Sequence, residues 1–177
     1  MQSLFEKYIQ SISAKFSHYE TSEMGYRADF EILLKGIFES VKMLPRIDHD
    51  AKAREGNKPD FVVLKGDVPI LYLEAKDIGV SLDKVEKSEQ MARYYGYTNL
   101  VLTDYVEFRF YRNGIRYEEP IKIAEYDLKS RFSPARIWPR LWVVGRKESE
   151  IMCASLWPHP RIKTPSLSKC IKQYKSF

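Results

Sequence analysis

Apolar residues recur at helical spacing through Leu4, Phe5, Tyr8, Ile9, Ile12 and Phe16, which predicts a first amphipathic helix. A second helix is predicted to start near Ser22 and to bury Phe30, Leu33, Leu34, Ile37, Phe38 and Val41 along one stripe until Pro45. Residues 46–58 are polar, charged and include Gly56, so they read as a loop with a short strand near Ile47. The period then changes. The runs FVVLK and VPILYLEAK, on either side of Gly66-Asp67, predict a hairpin over about residues 59–77. Helical spacing returns from Ser81 through Leu82, Val85, Met91, Tyr94 and Tyr95, with Gly96 as the expected C-terminal stop. Asn99–Thr103 and Tyr105–Tyr111 are strand-like, Asn113-Gly114 supplies a tight turn, and Ile115–Ala124 reads as an edge strand broken by Pro120. The order helix, helix, hairpin, helix, hairpin gives an α/β fold, a mixed β-sheet flanked by helices.

Beyond about residue 130 no sustained period of either kind continues. All three tryptophans, both cysteines and five of the nine prolines fall there. The chain is therefore divided into a core over residues 1–130 and a C-terminal extension of unassigned structure over residues 131–177. Its 177 residues suffice for one ordinary domain with a solid core. No apolar run reaches the roughly 18 residues of a membrane span, and Glu6 and Lys7 stand where a signal peptide would be apolar, so a soluble cytoplasmic protein is expected. Cys153 and Cys170 form no CxxC and no zinc-spaced cluster, which leaves neither a disulfide framework nor a structural zinc implied.

Net charge is +5, but its distribution matters more than its sum. Residues 131–177 hold ten Lys or Arg and two acids, a net of +8, and residues 1–130 carry a net of −3. Bulk charge thus gives no reason for the core to bind DNA, and any such reason must come from a site.

The hairpin supplies one. If Lys65 pairs with Pro69 across Gly66, Asp67 and Val68, Asp60 falls opposite Glu74. Like charges facing each other in a sheet are destabilising unless a cation sits between them. Strand alternation sends Leu71, Leu73 and Ala75 to one face and Tyr72, Glu74 and Lys76 to the other, beside Asp60. Two carboxylates and a backbone carbonyl are oxygen donors suited to a hard divalent ion such as magnesium. A lysine nearby can orient or deprotonate a bound water, or stabilise charge on a phosphate, so the set suits phosphodiester hydrolysis. Taken singly, E-x-K on a strand is commonly a solvated ion pair, and an Asp before a strand is commonly a turn residue.

Pro59-Asp60, thirteen intervening residues, then Glu74-Ala75-Lys76 resembles the signature of the PD-(D/E)XK nuclease superfamily. PDFVVLKGDVPILYLEAKDIG, LDKVEKSEQMARYYGY and NLVLTDYVEFRFYRNG are similar to the N-terminal nuclease domain of single-chain restriction-modification enzymes of the type IIG and type ISP kind, over about residues 1–127. The resemblance implies a restriction-endonuclease-like core and a magnesium-dependent DNA endonuclease, with manganese as a substitute metal. It further implies Asp60, Glu74 and the Ala75 carbonyl as metal ligands and a catalytic Lys76. The family places an acid on the core helix, for which Glu31 is the candidate, with an Arg27–Glu31 surface pair as the alternative and Glu39 the lesser competitor. Gln90 and Tyr94, one helical turn apart, match a Q-x-x-x-Y pattern that positions the DNA backbone; the alternative is a packed tyrosine and a solvated amide. Lys84, Lys87 and Arg93 are candidates for phosphate contacts on the same helical stretch.

Enzymes of that kind continue into a helical connector, a methyltransferase with an N-P-P-[YF] motif and a recognition domain. No such motif and no glycine-rich cofactor loop occurs here, so methylation is not expected of this chain and sequence specificity is expected to be poor. DNA is the expected partner, with either a second copy of the chain or absent methyltransferase and recognition modules beside it. A truncated gene whose tail was never selected to fold, and a free-standing nuclease with its own tail, both account for residues 131–177. Two rival functions stay open: a catalytically idle DNA-binding or interaction remnant, and a junction-resolvase or recombination-type nuclease.

Overall fold

The computed structural model describes residues 2–18, 22–49, 57–126 and 142–143. Helix α1 (Gln2–Phe16) and helix α2 (Glu23–Ser40) come first, followed by strand β1 (Arg46–His49). The hairpin β2 (Phe61–Lys65) and β3 (Val68–Ala75) leads to two short helices, α3 (Leu82–Val85) and α4 (Glu89–Tyr94). Strands β4 (Asn99–Thr103), β5 (Glu107–Arg112), β6 (Ile115–Arg116) and β7 (Ile121–Lys122) complete the main sheet. A separate pair joins β8 (Ala124–Glu125) to β9 (Trp142–Val143). Apart from that pair's second strand, the predicted extension over residues 131–177 lies outside the described residues.

Strand order is β1-β2-β3-β4-β5-β6, with β7 also pairing β5. Only β3 and β4 run parallel, joined by the crossover through α3 and α4; the other pairs in the sheet are antiparallel. Both sheet faces are covered. On one, Phe61, Val63, Leu73, Val101 and Phe108 meet α1 and α2, with Phe30 edge-on to the Phe61 and Tyr105 rings. On the other, Leu82, Met91 and Tyr94 pack on Leu100, Leu102 and Tyr111. Burial on both faces is why β2 and β4 read as nearly unbroken apolar runs.

The hairpin solves its register differently from the expected three-residue loop. Its turn has two residues, with Lys65 opposite Val68, and Gly66 takes a φ of +62°, the left-handed value such turns need at that position. The extra residue appears within β3 instead: Leu64 faces Pro69 and Val63 faces Leu71, leaving Ile70 as a bulge. The Asn99 side-chain amide donates to the Ile70 carbonyl at 3.0 Å, satisfying the group the bulge frees. Past the bulge, Phe61 faces Leu73, which puts Asp60 next to Glu74 as the sequence pattern requires.

The helix expected from Ser81 to Gly96 is two helices. The first stops at Val85, and Ser88 caps the second, its hydroxyl accepting from the Met91 N–H at 3.2 Å. Gly96 does not adopt the left-handed conformation of a glycine stop; the positive-φ glycines among the described residues are Gly66, Gly79 and Gly114. Near Pro120 the edge breaks as expected, into β6 and β7.

Candidate active site

Glu74 sits near the C-terminal end of β3, between β2 and β4, and is only 2% exposed. Its Oε1 accepts from Lys76 Nζ at 2.5 Å and from Gln90 Nε2 at 2.8 Å. Its Oε2 is buried and has no hydrogen-bond partner. Leaving a buried carboxylate oxygen unsatisfied is costly, so this atom marks a position where a cation or donor belongs. Burial, and then the negative charge of Asp60, push the Glu74 carboxyl up to about 7.

Asp60 precedes β2 and is fixed at both oxygens. Oδ2 accepts from the Ala75 N–H at 2.8 Å, which ties the Asp60 carboxylate to the backbone beside Glu74. Oδ1 accepts from Arg27 Nη2. Lys76 follows β3, and its N–H extends the parallel ladder to the Thr103 carbonyl at 2.9 Å. Burial works to lower the Lys76 pKa, but the hydrogen bond and charge of Glu74, with Asp60 and Glu23 behind it, outweigh burial and raise it. The ammonium is therefore held charged.

Helix α4 completes the cluster. Gln90 donates to Glu74 and to the Tyr94 hydroxyl at 3.2 Å and accepts from Lys76 at 3.2 Å, so one amide links three site residues. Gln90 and Tyr94 share a face, as their spacing predicts, and Gln90 reaches Glu74. Tyr94 is 2% exposed and packs in the second core, with its hydroxyl turned to the Gln90 amide. Lys84, Lys87 and Arg93 are exposed.

The helical acid is placed differently. Glu31 does not join Asp60 and Glu74: it pairs with Lys35 at 2.6 Å and with His49 Nε2 at 2.6 Å, and the Lys35 hydrogen bond leads the causes that lower its pKa. The acid facing the cluster is Glu23, about 12 Å earlier along the same helix. Its Oε1 accepts from Arg27 Nη2 at 3.0 Å, the atom that also serves Asp60. Burial raises the Glu23 pKa against the Arg27 hydrogen bond, and the charges of Asp60 and Lys76 are felt there. Tyr105 anchors this end of α2, its hydroxyl donating to the Glu23 carbonyl at 3.0 Å. Arg27 thus pairs backward to Glu23 and across to Asp60, not forward to Glu31.

Among the described residues no group of three or more His, Cys, Asp or Glu side chains stands in a metal-ligating arrangement. The donor set at the cluster is two carboxylates with backbone oxygen nearby. Its hard oxygen chemistry and the unpartnered Glu74 Oε2 fit a magnesium-type ion, which commonly takes one or two protein carboxylates and keeps several waters.

No protein-family model and no curated protein matches the chain. A solved structure does: a cryo-EM structure of a DrdV–DNA complex aligns with a TM-score of 0.56 at 23% identity, over 68% of this chain. The aligned region amounts to 12% of that much longer chain. The core accordingly has a restriction-endonuclease-like fold, a mixed sheet flanked by helices.

Proposed function

We propose that the core is a metal-dependent DNA endonuclease of the PD-(D/E)XK type, hydrolysing the phosphodiester bond with water. The observation that carries this reading is the convergence of Asp60, Glu74, Lys76 and Gln90 at one sheet end, with Glu74 Oε2 buried and unpartnered among them. The likeness to a chain solved in complex with DNA supports the choice of substrate, although fold alone does not carry function.

Asp60, Glu74 and the Ala75 carbonyl would hold magnesium, or manganese in its place. When bound, such an ion lowers the pKa of its water and offsets charge on the phosphate. The chain's own residues prepare the rest. Lys76, held charged by Glu74 with Asp60 and Glu23 behind it and hydrogen-bonded to Gln90, stabilises negative charge building on the phosphate oxygens. Gln90 fixes the Lys76 ammonium and the Glu74 carboxylate relative to each other, so that neither must reorganise during reaction. The Ala75 N–H keeps the Asp60 carboxylate beside the Glu74 strand end. Glu23 is a better candidate than Glu31 for the helical acid, because it shares Arg27 with Asp60. Cutting both strands of a duplex would require two such sites, hence a second copy of the chain or successive nicking.

The substrate class is tested by offering supercoiled plasmid, linear duplex and a four-way junction to the protein with magnesium. Nicking of plasmid and duplex is expected. A strong preference for the junction would transfer the site to a resolvase-type role, and no cleavage of any substrate would leave a DNA-binding remnant.

A further inference from the structure

Arg27 lies one turn beyond Glu23 on α2, is 9% exposed, and has its guanidinium carbon 5.9 Å from the centre of the Phe61 ring. Its Nη2 donates to carboxylates on two elements, Glu23 on its own helix and Asp60 before β2. Asp60 does not depend on this contact for its orientation, because the Ala75 N–H already holds its other oxygen. Glu74 depends on it still less, since Lys76 and Gln90 hold that side chain. What Arg27 brings is charge: among the described residues, the three carboxylates Asp60, Glu74 and Glu23 are met by the organic cations Arg27 and Lys76.

We propose that Arg27 is a built-in counter-ion, seated on Asp60 in the metal-free protein and in competition with a divalent cation for that carboxylate. The proposal rests on the reading of Asp60 and Glu74 as metal ligands. A guanidinium does not lose its proton under these conditions, so Arg27 makes way only by moving. Glu23 gives it somewhere to stay. One turn away on the same helix and already in contact, it keeps the buried guanidinium paired when Asp60 is taken. Linkage makes the competition reciprocal: whatever Arg27 costs the metal, the metal costs the Arg27–Asp60 pair.

The test uses the full chain and manganese alone, followed by calorimetric titration, with wild type, Arg27→Met, Arg27→Lys and Asp60→Ala compared. Arg27→Met is expected to bind manganese about tenfold tighter, within the usual range for coupled sites, and Arg27→Lys to bind nearly as wild type because the charge remains. Binding that requires Asp60 but is unchanged or weaker in Arg27→Met overturns the proposal while leaving the metal site intact. Absence of any Asp60-dependent binding in wild type overturns the metal reading and the proposal with it. If Arg27→Met is unfolded without metal, refolding on addition of manganese supports the exchange. Should it stay unfolded, Arg27→Gln replaces it, and a thermal-shift gain from manganese no larger than that of wild type overturns the proposal.

Discussion

Glu74→Gln in the metal-free protein isolates the electrostatic cost of the site. The carboxyl moves from an ordinary 4.5 to about 7 on folding, through burial first and Asp60 second. An acid whose folded value lies above its unfolded value favours folding at low pH, where both states hold the proton. As pH rises from about 4.5 to 7 the unfolded chain ionises while the folded one resists, so stability is lost. At about 1.4 kcal/mol per pH unit the loss is about 3 kcal/mol, complete above pH 7. Glutamine can still accept from Lys76 and Gln90 at Oε1, but it has no proton to lose. Urea denaturation at a series of pH values between about 4.5 and 8, with chelator present, reads both proteins. The stability of wild type minus that of Glu74→Gln should fall by about 3 kcal/mol across the series. Groups that do not interact with Glu74 cancel in that difference. A difference that stays flat with pH would refute the reasoning, because it would mean that Glu74 ionises on folding as freely as it does in water.

Three further outcomes follow from the fold. Gly114 has a φ of +77° and an added Cβ would lie 2.9 Å from the Tyr95 carbonyl oxygen, so Gly114→Ala should cost about 2 kcal/mol in urea denaturation. Asn99→Ala leaves the Ile70 carbonyl at the bulge without its donor and should cost about 1 kcal/mol, read in the same way. Asp104 is 2% exposed and burial pushes its carboxyl up to about 6, although it accepts from the Val106 and Glu107 N–H groups. Its sign matches that of Glu74, with stability lost as pH rises from about 3.8 to 6, so Asp104→Asn should stabilise the protein above pH 7 by up to about 3 kcal/mol and give no gain near pH 3.

The strand end carrying the acids was legible because period-two alternation and turn chemistry act locally. The hairpin's inner register was not: a two-residue turn plus a bulge gives the same outer pairing as a three-residue loop, and sequence offers no means of choosing between them. The third helix reads as continuous in the sequence because Leu82, Val85, Met91 and Tyr94 keep one face across the break, while the signal for the break is one serine hydroxyl. Glu31 stands out in the sequence because it borders the apolar stripe of α2. The site lies instead at the helix's N-terminal end, where Glu23 looks like an ordinary first-turn acid complementing the helix dipole. A signal for the acid that the fold brings beside Asp60 is present in Glu23-x-x-x-Arg27, a pair at helical spacing. Only the tertiary contact of Arg27 with Asp60 gives it meaning.

Nicking of supercoiled plasmid by wild type, Asp60→Ala, Glu74→Ala and Lys76→Ala, each with magnesium, with calcium and with chelator, tests the proposed chemistry most directly. Magnesium-dependent nicking that disappears in all three variants, while their folded spectra persist, is the predicted result. Cleavage that survives loss of both Asp60 and Glu74, or wild-type protein that retains DNA and never cuts it, would contradict the account.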